Sequence, residues 1–154
     1  MNIIELKERQ DLSADTKTNR MYIQLGEFLN QLHKKNLTQN IIESINQDIE
    51  EVNAASLTGN DFRKLVKQKQ TKIIKLLEKD LKVVPKNYYR NMWLALGMSV
   101  FGLPLAVAFG ASIGNMGLLG VGLPIGMAIG TLVGSRMDKK ALEEGRQLNI
   151  EIKY

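Results

Sequence analysis

The residue types that most often carry enzyme chemistry are scarce in this chain. It contains no cysteine and one histidine, His33. Disulfides, thiolate metal sites, cysteine nucleophiles and multi-histidine metal sites are therefore excluded. A Ser–His catalytic pair would depend on His33 alone. This residue precedes Lys34 and Lys35 at the predicted end of a helix, so we expect a surface residue without chemistry.

Carboxylates that lie close together can perform acid–base catalysis or bind a metal. One predicted helix carries four of them, Glu43, Asp48, Glu50 and Glu51. No histidine or apolar cleft accompanies these residues in the sequence, so we expect them on a solvated face. The many glycines lie inside an uncharged run, where phosphate could not be bound. The sequence predicts that the protein is not an enzyme and uses no cofactor, metal or small-molecule substrate.

Basic residues are concentrated between positions 61 and 90, which hold 10 basic and 3 acidic residues. Five lysines there are predicted to contact anionic lipid headgroups: Lys67, Lys75, Lys79, Lys82 and Lys86. Each basic residue near such a surface contributes about 1 kcal/mol. Alternatively, these lysines only set the membrane topology. A nucleic-acid partner is not expected, because interleaved aromatics and a recognition motif are missing.

The residues from Asn91 to Ser135 form a run of 45 residues without a charge. A bilayer core of about 30 Å is crossed by about 20 apolar helical residues. The run therefore predicts two spans, at about 91–112 and 117–135, joined by an external turn near Ile113 to Met116. The alternative is a buried hairpin inside a soluble oligomer.

The uncharged run repeats itself at an offset of twenty residues: 102–114 reads GLPLAVAFGASIG and 122–134 reads GLPIGMAIGTLVG. Such self-similarity indicates two copies of one unit. Each copy has a small residue at every fourth position, which places these residues on nearly one helix face. The two ridges are Gly102, Ala106, Gly110 and Gly114, and Gly122, Gly126, Gly130 and Gly134. Small-xxx-small ridges let helices pack closely within a membrane.

On these ridges, residues 97–134 resemble the glycine-zipper class of two-helix membrane proteins. The resemblance implies tight helix association and often oligomers, and it names no single activity. Either the ridges pack the hairpin against itself alone, or they also build a homo-oligomer. Pro104 and Pro124, near the start of the two segments, are predicted kinks.

Residues at both ends of the run are typical of a membrane interface. They are Tyr88, Tyr89, Arg90 and Trp93 before the first span and Arg136 after the second. Lysine and arginine flank both spans but are missing from the turn between them. This asymmetry predicts a bacterial inner-membrane protein with both termini in the cytoplasm. Residues 1–20 are polar and do not resemble a secretory signal.

The predicted fold is all-α, with a cytosolic bundle of about three helices followed by the two-span hairpin. The cytosolic region covers 1–87, with helices at about 16–35, 39–54 and 61–83; the hairpin covers 88–136 and a cytosolic tail covers 137–154. The last residues, LNIEIKY, alternate apolar and polar side chains as a strand does. No other strand is expected, so this tail either frays or pairs with another copy or a partner protein.

These patterns favour a non-enzymatic membrane protein that self-associates through its ridges and acts as a pore, channel or permeabilising effector controlled by its cytosolic helices. The alternative is an anchor or scaffold that tethers the helical region and docks a protein partner. The expected partners are the lipid bilayer, further copies of the chain and a cytosolic protein. Little polar surface is available in the spans to line a pore, with Ser99, Ser112 and Thr131 as the candidates.

Overall fold

A computed structural model describes residues 2–14, 16–113 and 119–154 and is mostly helical. A short 3-10 helix, Gln10–Ala14, precedes the regular elements. These are α1 (Thr16–Leu32), α2 (Gln39–Ala54), α3 (Gly59–Leu81), β1 (Val84–Lys86), α4 (Tyr88–Leu96), a π-helix (Gly97–Gly102), α5 (Leu103–Ile113), α6 (Leu119–Glu143) and β2 (Gln147–Glu151). The predicted external turn falls mainly on residues 114–118, outside the described residues.

The chain divides into two compact units. One unit, called the bundle here, comprises Met1–Pro85 and Leu148–Tyr154, and the other, called the hairpin, comprises Lys86–Gln147. Residues 137–154 were expected to form a separate tail. The last seven residues instead belong to the bundle, because β2 pairs with β1.

The bundle core is built from the apolar stripes of α1, α2 and α3. Its fully buried side chains include Leu25, Phe28, Leu32, Ile45, Ile49, Val52, Phe62, Val66, Ile73 and Leu77. Helix α2 has the predicted boundaries, and α3 begins and ends two residues earlier than predicted. The spacing of Ile42, Ile45, Ile49 and Val52 predicts the buried stripe of α2, and it needs one correction, since Ile41 is buried in place of Ile42. Spacing alone could not choose between these adjacent isoleucines.

A weak apolar pattern, with Ile3, Ile4 and Leu12 on one side, predicts a short helix over residues 1–12, and this prediction is wrong for residues 2–9. This segment is non-helical and binds α2 through two asparagines. Asn46 accepts a hydrogen bond from the Ile4 N–H (2.9 Å) and donates one to the Asn2 carbonyl (3.1 Å). Seven residues on, Asn53 accepts from the Lys7 N–H (3.0 Å) and donates to the Glu5 carbonyl (3.0 Å). Each asparagine side chain therefore bonds one N–H and one carbonyl of the N-terminal backbone, as the backbone of a neighbouring strand would.

The prediction that LNIEIKY lacks a strand partner within the chain is also wrong. The partner, β1, lies in the segment Val83-Val84-Pro85-Lys86, where the proline predicts only the end of a helix. Helix α3 ends as Lys82 adopts a left-handed conformation (φ 55°), and the Val83 N–H bonds the Leu77 carbonyl (3.2 Å). Proline then enforces an extended chain. On β2 the alternating residues Leu148 and Ile150 are buried, which follows from the period of two in a strand.

Helix α6 ends where the sequence predicts a stop at Gly145. Gly145 has a φ of +67°, which is unfavourable for residues with a Cβ. The Arg146 N–H bonds the Ala141 carbonyl (2.8 Å) and the Gly145 N–H bonds the Leu142 carbonyl (3.0 Å). These are the two hydrogen bonds of a Schellman motif. The chain thereby leaves the hairpin and enters β2.

Candidate membrane hairpin and its helix seam

The hairpin consists of one continuous helical run, α4–π-helix–α5, packed antiparallel against α6. The direction follows from the residues that face each other: Arg90 lies at Gly134, Trp93 at Gly130 and Ala106 at Gly122. As numbering rises along the first run it falls along α6. The line of contact between the two runs is called the seam below.

Glycine lets the two backbones touch at the seam. A Cβ added to Gly130 would overlap the carbonyl oxygen of Trp93, and one added to Gly134 would lie 2.5 Å from the Arg90 Cα. At Gly126 the nearest Cα, that of Gly102, would be 2.7 Å away. Real Cβ atoms do not approach backbone this closely, so a side chain at these positions would force the helices apart.

The structure brings most of the predicted ridge residues to this seam. The six that face the opposite helix are Gly102, Ala106, Gly122, Gly126, Gly130 and Gly134. Gly110 is buried, and Gly114 lies outside the described residues. The inner ridges therefore pack the two helical runs of one chain against each other, as both arrangements left open by the sequence require. That they also build a homo-oligomer stays a prediction.

Gly97 also lies in the seam, although the fourfold spacing omitted it. Its added Cβ would be 2.9 Å from the Gly130 Cα. Gly97 stands five residues before Gly102, and in an α-helix these positions would differ by about 140° around the axis. The π-helix between them adds one residue to the turn, with the Leu103 N–H bonded to the Met98 carbonyl, and returns both glycines to one face. The matching Gly117, twenty residues on, was a usable signal.

The prolines occupy different positions in the two runs. Pro104 is the second residue of α5, directly after the π-helix, and Pro124 lies inside α6. Each lacks the N–H that would bond the carbonyl four residues earlier. Near Pro104, the Ser99 hydroxyl donates to the carbonyls of Ala95 (3.1 Å) and Leu96 (3.2 Å). Ser99, a candidate pore-lining residue, is therefore bonded to its own helix.

An acidic side chain of α6 caps the start of α4. The Asp138 carboxylate accepts hydrogen bonds from the backbone N–H groups of Tyr89 (3.1 Å) and Arg90 (2.9 Å) and is itself buried. Asparagine is a favoured N-cap residue, which predicts Asn87 as the cap of this helix; it occupies the N-cap position but makes no side-chain capping bond. The N–H groups at a helix start lack helical partners and favour negative charge, so Asp138 satisfies two of them. Sequence spacing could not reveal a cap 49 residues away.

Away from the seam, the hairpin surface formed by residues 92–112 and 120–135 is largely apolar. Large exposed side chains occur on both runs, and Val107 and Leu132 are 62% and 65% exposed. Within the described residues, one helical segment, Tyr88–Ser112, is long and apolar enough to cross a membrane by length and composition. The sequence predicts two such spans. The predicted second span, 117–135, begins outside the described residues and continues in α6.

The predicted interface residues divide by exposure. Arg136 is exposed, Arg90, Tyr88 and Trp93 are half-buried, and Tyr89 is buried. The rings of Tyr88 and Tyr89 meet edge to face with centroids 5.3 Å apart. The indole nitrogen of Trp93 has no hydrogen-bond partner among the described residues. Tyr89 is therefore a packing residue of the hairpin.

All five lysines predicted to contact lipid are exposed. Lys67, Lys75, Lys79 and Lys82 fall within an arc of about 120° when α3 is extended to position 82, as 100° per residue requires. Lys86 lies on β1. The Lys67 ammonium also lies 4.6 Å from the centroid of the Tyr154 ring.

The acidic residues of α2 are not simply a solvated face. Asp48 is buried, and its Oδ1 bonds Lys69 Nζ (3.1 Å) and Lys72 Nζ (2.8 Å). Lys69 also pairs with Glu51. Burial lowers the pKa of Lys69, but the hydrogen bonds to Glu51 and Asp48 raise it more, so the net pKa is raised. The prediction is wrong for Asp48, because the matching lysine lies on another helix.

Among the described residues, no group of three or more acidic or histidine side chains is arranged to hold a metal.

Comparisons of the chain with protein-family models, curated proteins and solved structures gave no match.

Proposed function

We propose that this protein is a non-enzymatic membrane anchor whose two-span hairpin tethers the helical bundle to the bacterial inner membrane and associates with further copies. The observation that carries the proposal is the distribution of side chains in the hairpin. Glycines meet across the seam while large apolar side chains cover the outside. An exposed apolar surface of this extent favours lipid as its surroundings.

The pairing of β1 with β2 supports a hairpin with both ends on one side of the membrane. Strand β1 ends two residues before α4 begins, and β2 starts four residues after α6 ends. The lysines of α3 are on the same side of the first span in sequence as β1. By the positive-inside rule that side is the cytoplasm, with the exposed lysines available to anionic headgroups.

A second ridge of small residues supports self-association. It lies outside the seam and consists of Pro104, Ala108 and Ser112 on α5 and Gly120, Pro124 and Ala128 on α6, all exposed. A Cβ added to Gly120 would meet nothing within 4 Å. Because members are four residues apart, each set follows one helix face and permits close approach of another helix.

A pore or permeabilising effector is the second candidate, and the same outer ridge favours it, since subunits joined there could enclose a pathway. The expected behaviours differ. An anchor leaves the bilayer sealed, whereas a pore releases a small dye from liposomes. Ala108→Leu/Ala128→Leu fills the outer ridge and leaves the seam unchanged. Val107→Leu/Val121→Leu adds volume at exposed, already large positions and serves as the control.

The topology is tested with single cysteines, because the natural chain has none. Ser56→Cys, Asn115→Cys and Leu142→Cys are expressed in bacteria and treated with a membrane-impermeant maleimide. We expect labelling of intact spheroplasts at position 115 alone, and of all three sites after lysis. Labelling of position 56 or 142 in intact spheroplasts, or a soluble protein, would contradict the proposal.

Association and permeability are then measured on the reconstituted protein. We expect chemical crosslinking of the wild type and the Val107→Leu/Val121→Leu control to give oligomers, and of Ala108→Leu/Ala128→Leu to give monomers, with the dye retained throughout. Dye release by the wild type that is lost in Ala108→Leu/Ala128→Leu would favour the pore. Equal crosslinking of all three would contradict association through the outer ridge.

A further inference from the structure

The bundle contains a basic groove between α1, α3 and the C-terminal residues. It has a volume of about 870 Å³. Six cationic and two acidic side chains line it, giving a formal charge of +4; they are Lys17, Arg20, Arg63, Lys64, Lys67 and Lys153, with Glu27 and Glu151. Met21, Ile23 and Tyr154 add apolar surface.

The groove is assembled from parts of the chain that are far apart in sequence. Lys153 donates its backbone N–H to the Gln24 side chain of α1 (2.9 Å), and the Tyr154 hydroxyl bonds that of Thr71 on α3 (2.9 Å). The Lys67 ammonium lies over the Tyr154 ring. The C-terminal residues therefore form a fixed wall, and the groove exists only when the bundle is folded.

The groove carries more positive charge than its carboxylates balance. Two of its cations pair with carboxylates, since Lys64 lies 3.1 Å from Asp61 and Lys153 lies 3.8 Å from Glu151. The lining side chains still keep an excess of four positive charges, or three when Asp61 is counted with them. Like charges held together are unfavourable unless an anion approaches, and a cleft focuses their field on such a ligand.

The shape and mixed lining favour an acidic segment of a protein. Lys17 to Glu27 on α1 extends over about 15 Å, enough for four or five residues of extended chain. The exposed Ile23 side chain and the Tyr154 ring offer contacts to apolar side chains, while arginine and lysine bind carboxylates. A polyanion with a charge on every unit, such as nucleic acid, would place negative charge against Glu27 and Glu151, whereas a peptide can place an apolar residue beside them.

We propose that this groove binds an extended acidic segment, with interspersed apolar residues, of a partner protein. The proposal names the chemistry of the partner that the anchor would hold, and it rests on the proposed function for that role. Binding by the groove is measured apart from insertion and association, so the two proposals can fail separately.

The test uses the full-length protein in neutral-lipid nanodiscs and fluorescein-labelled heptapeptides in which Glu and Asp alternate with Leu, Phe or Tyr. Binding is followed by fluorescence anisotropy. Arg63→Glu/Lys67→Glu reverses two groove charges. Lys75→Glu/Lys79→Glu makes the same change in net charge on the same helix outside the groove. Arg63→Gln/Lys67→Gln is a milder variant, and circular dichroism checks the fold of each.

We expect at least one acidic peptide to bind the wild type and the Lys75→Glu/Lys79→Glu protein with similar Kd. In Arg63→Glu/Lys67→Glu the Kd should rise at least tenfold, with a smaller rise in Arg63→Gln/Lys67→Gln. No acidic peptide binding more tightly than its Gln-substituted counterpart would overturn the proposal. Equal weakening by both charge reversals would overturn it too, because it would reveal a non-specific basic surface.

Other occupants give different results. If dihexanoyl phosphatidylglycerol binds the wild type in a manner lost in Arg63→Glu/Lys67→Glu, while acidic peptides do not bind, the groove is a lipid site and the peptide proposal is wrong. If this variant loses self-association while peptides do not bind the wild type, the occupant is a second copy. Topology and dye retention are recorded on the same samples, so failure of the anchor remains distinguishable.

Discussion

At the scale of single residues, the hairpin depends on the missing Cβ atoms of its seam. We predict that Gly130→Ala destabilises the hairpin by about 1–3 kcal/mol, as overpacking does, because the methyl group would overlap the Trp93 carbonyl oxygen. Unfolding in mixed micelles with rising dodecyl sulfate can be followed by Trp93, the single tryptophan of the chain. Gly120→Ala, on the same helix with open space around it, should be neutral or slightly stabilising. Equal effects of the two would contradict a backbone seam.

Asp138 makes a separate contribution at one end of the hairpin. Asp138→Ala removes the acceptor for the N–H groups of Tyr89 and Arg90, and we expect a loss of about 1–2 kcal/mol, as for other helix caps. Glu143→Ala is the control, since Glu143 is exposed and 3.8 Å from Lys139. It should change the same dodecyl sulfate midpoint little. A midpoint unchanged by Asp138→Ala would show that water or another group caps α4.

The buried ion pair of the bundle gives a prediction with a defined pH range. Lys69→Met removes one of the two cations bonded to the buried Asp48 and should cost about 1.5–3 kcal/mol, as the loss of a hydrogen bond to a charged group does. Lys72→Met, at a half-exposed position, should cost less than about 1 kcal/mol. Because the folded pKa of Lys69 is raised, its contribution is complete below the ordinary pKa of 10.5 and fades as pH rises through the folded value. Urea unfolding followed by circular dichroism should therefore show a Lys69→Met difference that is constant from pH 7 to 9. A difference that disappears in this range would contradict the prediction.

At the scale of elements, the π-helix is explained by register. The small seam residues of the first run, Gly97, Gly102 and Ala106, are spaced by five and then four, whereas the seam glycines of α6 are spaced by four throughout. Deletion of Val100, an exposed residue within the π-helix, makes the first interval four, and we expect an α-helical run with stability within about 1 kcal/mol of wild type. Deletion of Ile129 shortens the interval between Gly126 and Gly130 to three and turns the seam by about 100°. The hairpin should then lose at least about 3 kcal/mol in the same unfolding assay. Equal losses would show that register does not determine the π-helix.

Sequence reasoning succeeded for elements whose signal is local and periodic. The boundaries of α2, the stop at Gly145 and the fourfold ridges follow from residues close together in the chain. It failed where distant residues decide the structure. The segment at residues 2–9 is held by the side chains of Asn46 and Asn53, and β1 is a strand because β2 pairs with it. Gly97 was missed because a π-turn breaks the period that identified the other ridge members. Asp48 was misplaced because Lys69 lies on another helix.

At the scale of the whole molecule, the chain enters the hairpin from the bundle and returns to it. The bundle is discontinuous in sequence, since Leu148–Tyr154 completes a unit that otherwise ends at Pro85. Residues on both sides of the hairpin therefore share one core, with Leu148, Val84 and Leu77 all buried. Truncation beyond residue 146 would remove a core strand as well as a tail.

We expect the C-terminal strand β2 to stabilise helices that lie more than 60 residues earlier in the chain. Leu148→Ala removes a buried side chain and should cost the bundle about 2–5 kcal/mol, while Leu142→Ala, at a position 62% exposed, should have little effect. Hydrogen–deuterium exchange of full-length protein in nanodiscs gives a local readout. We expect faster exchange in peptides covering α3 for Leu148→Ala, because global opening of the bundle becomes easier, and unchanged exchange in α6. Faster exchange confined to β2 would show instead that the strand docks on a bundle that is already stable without it.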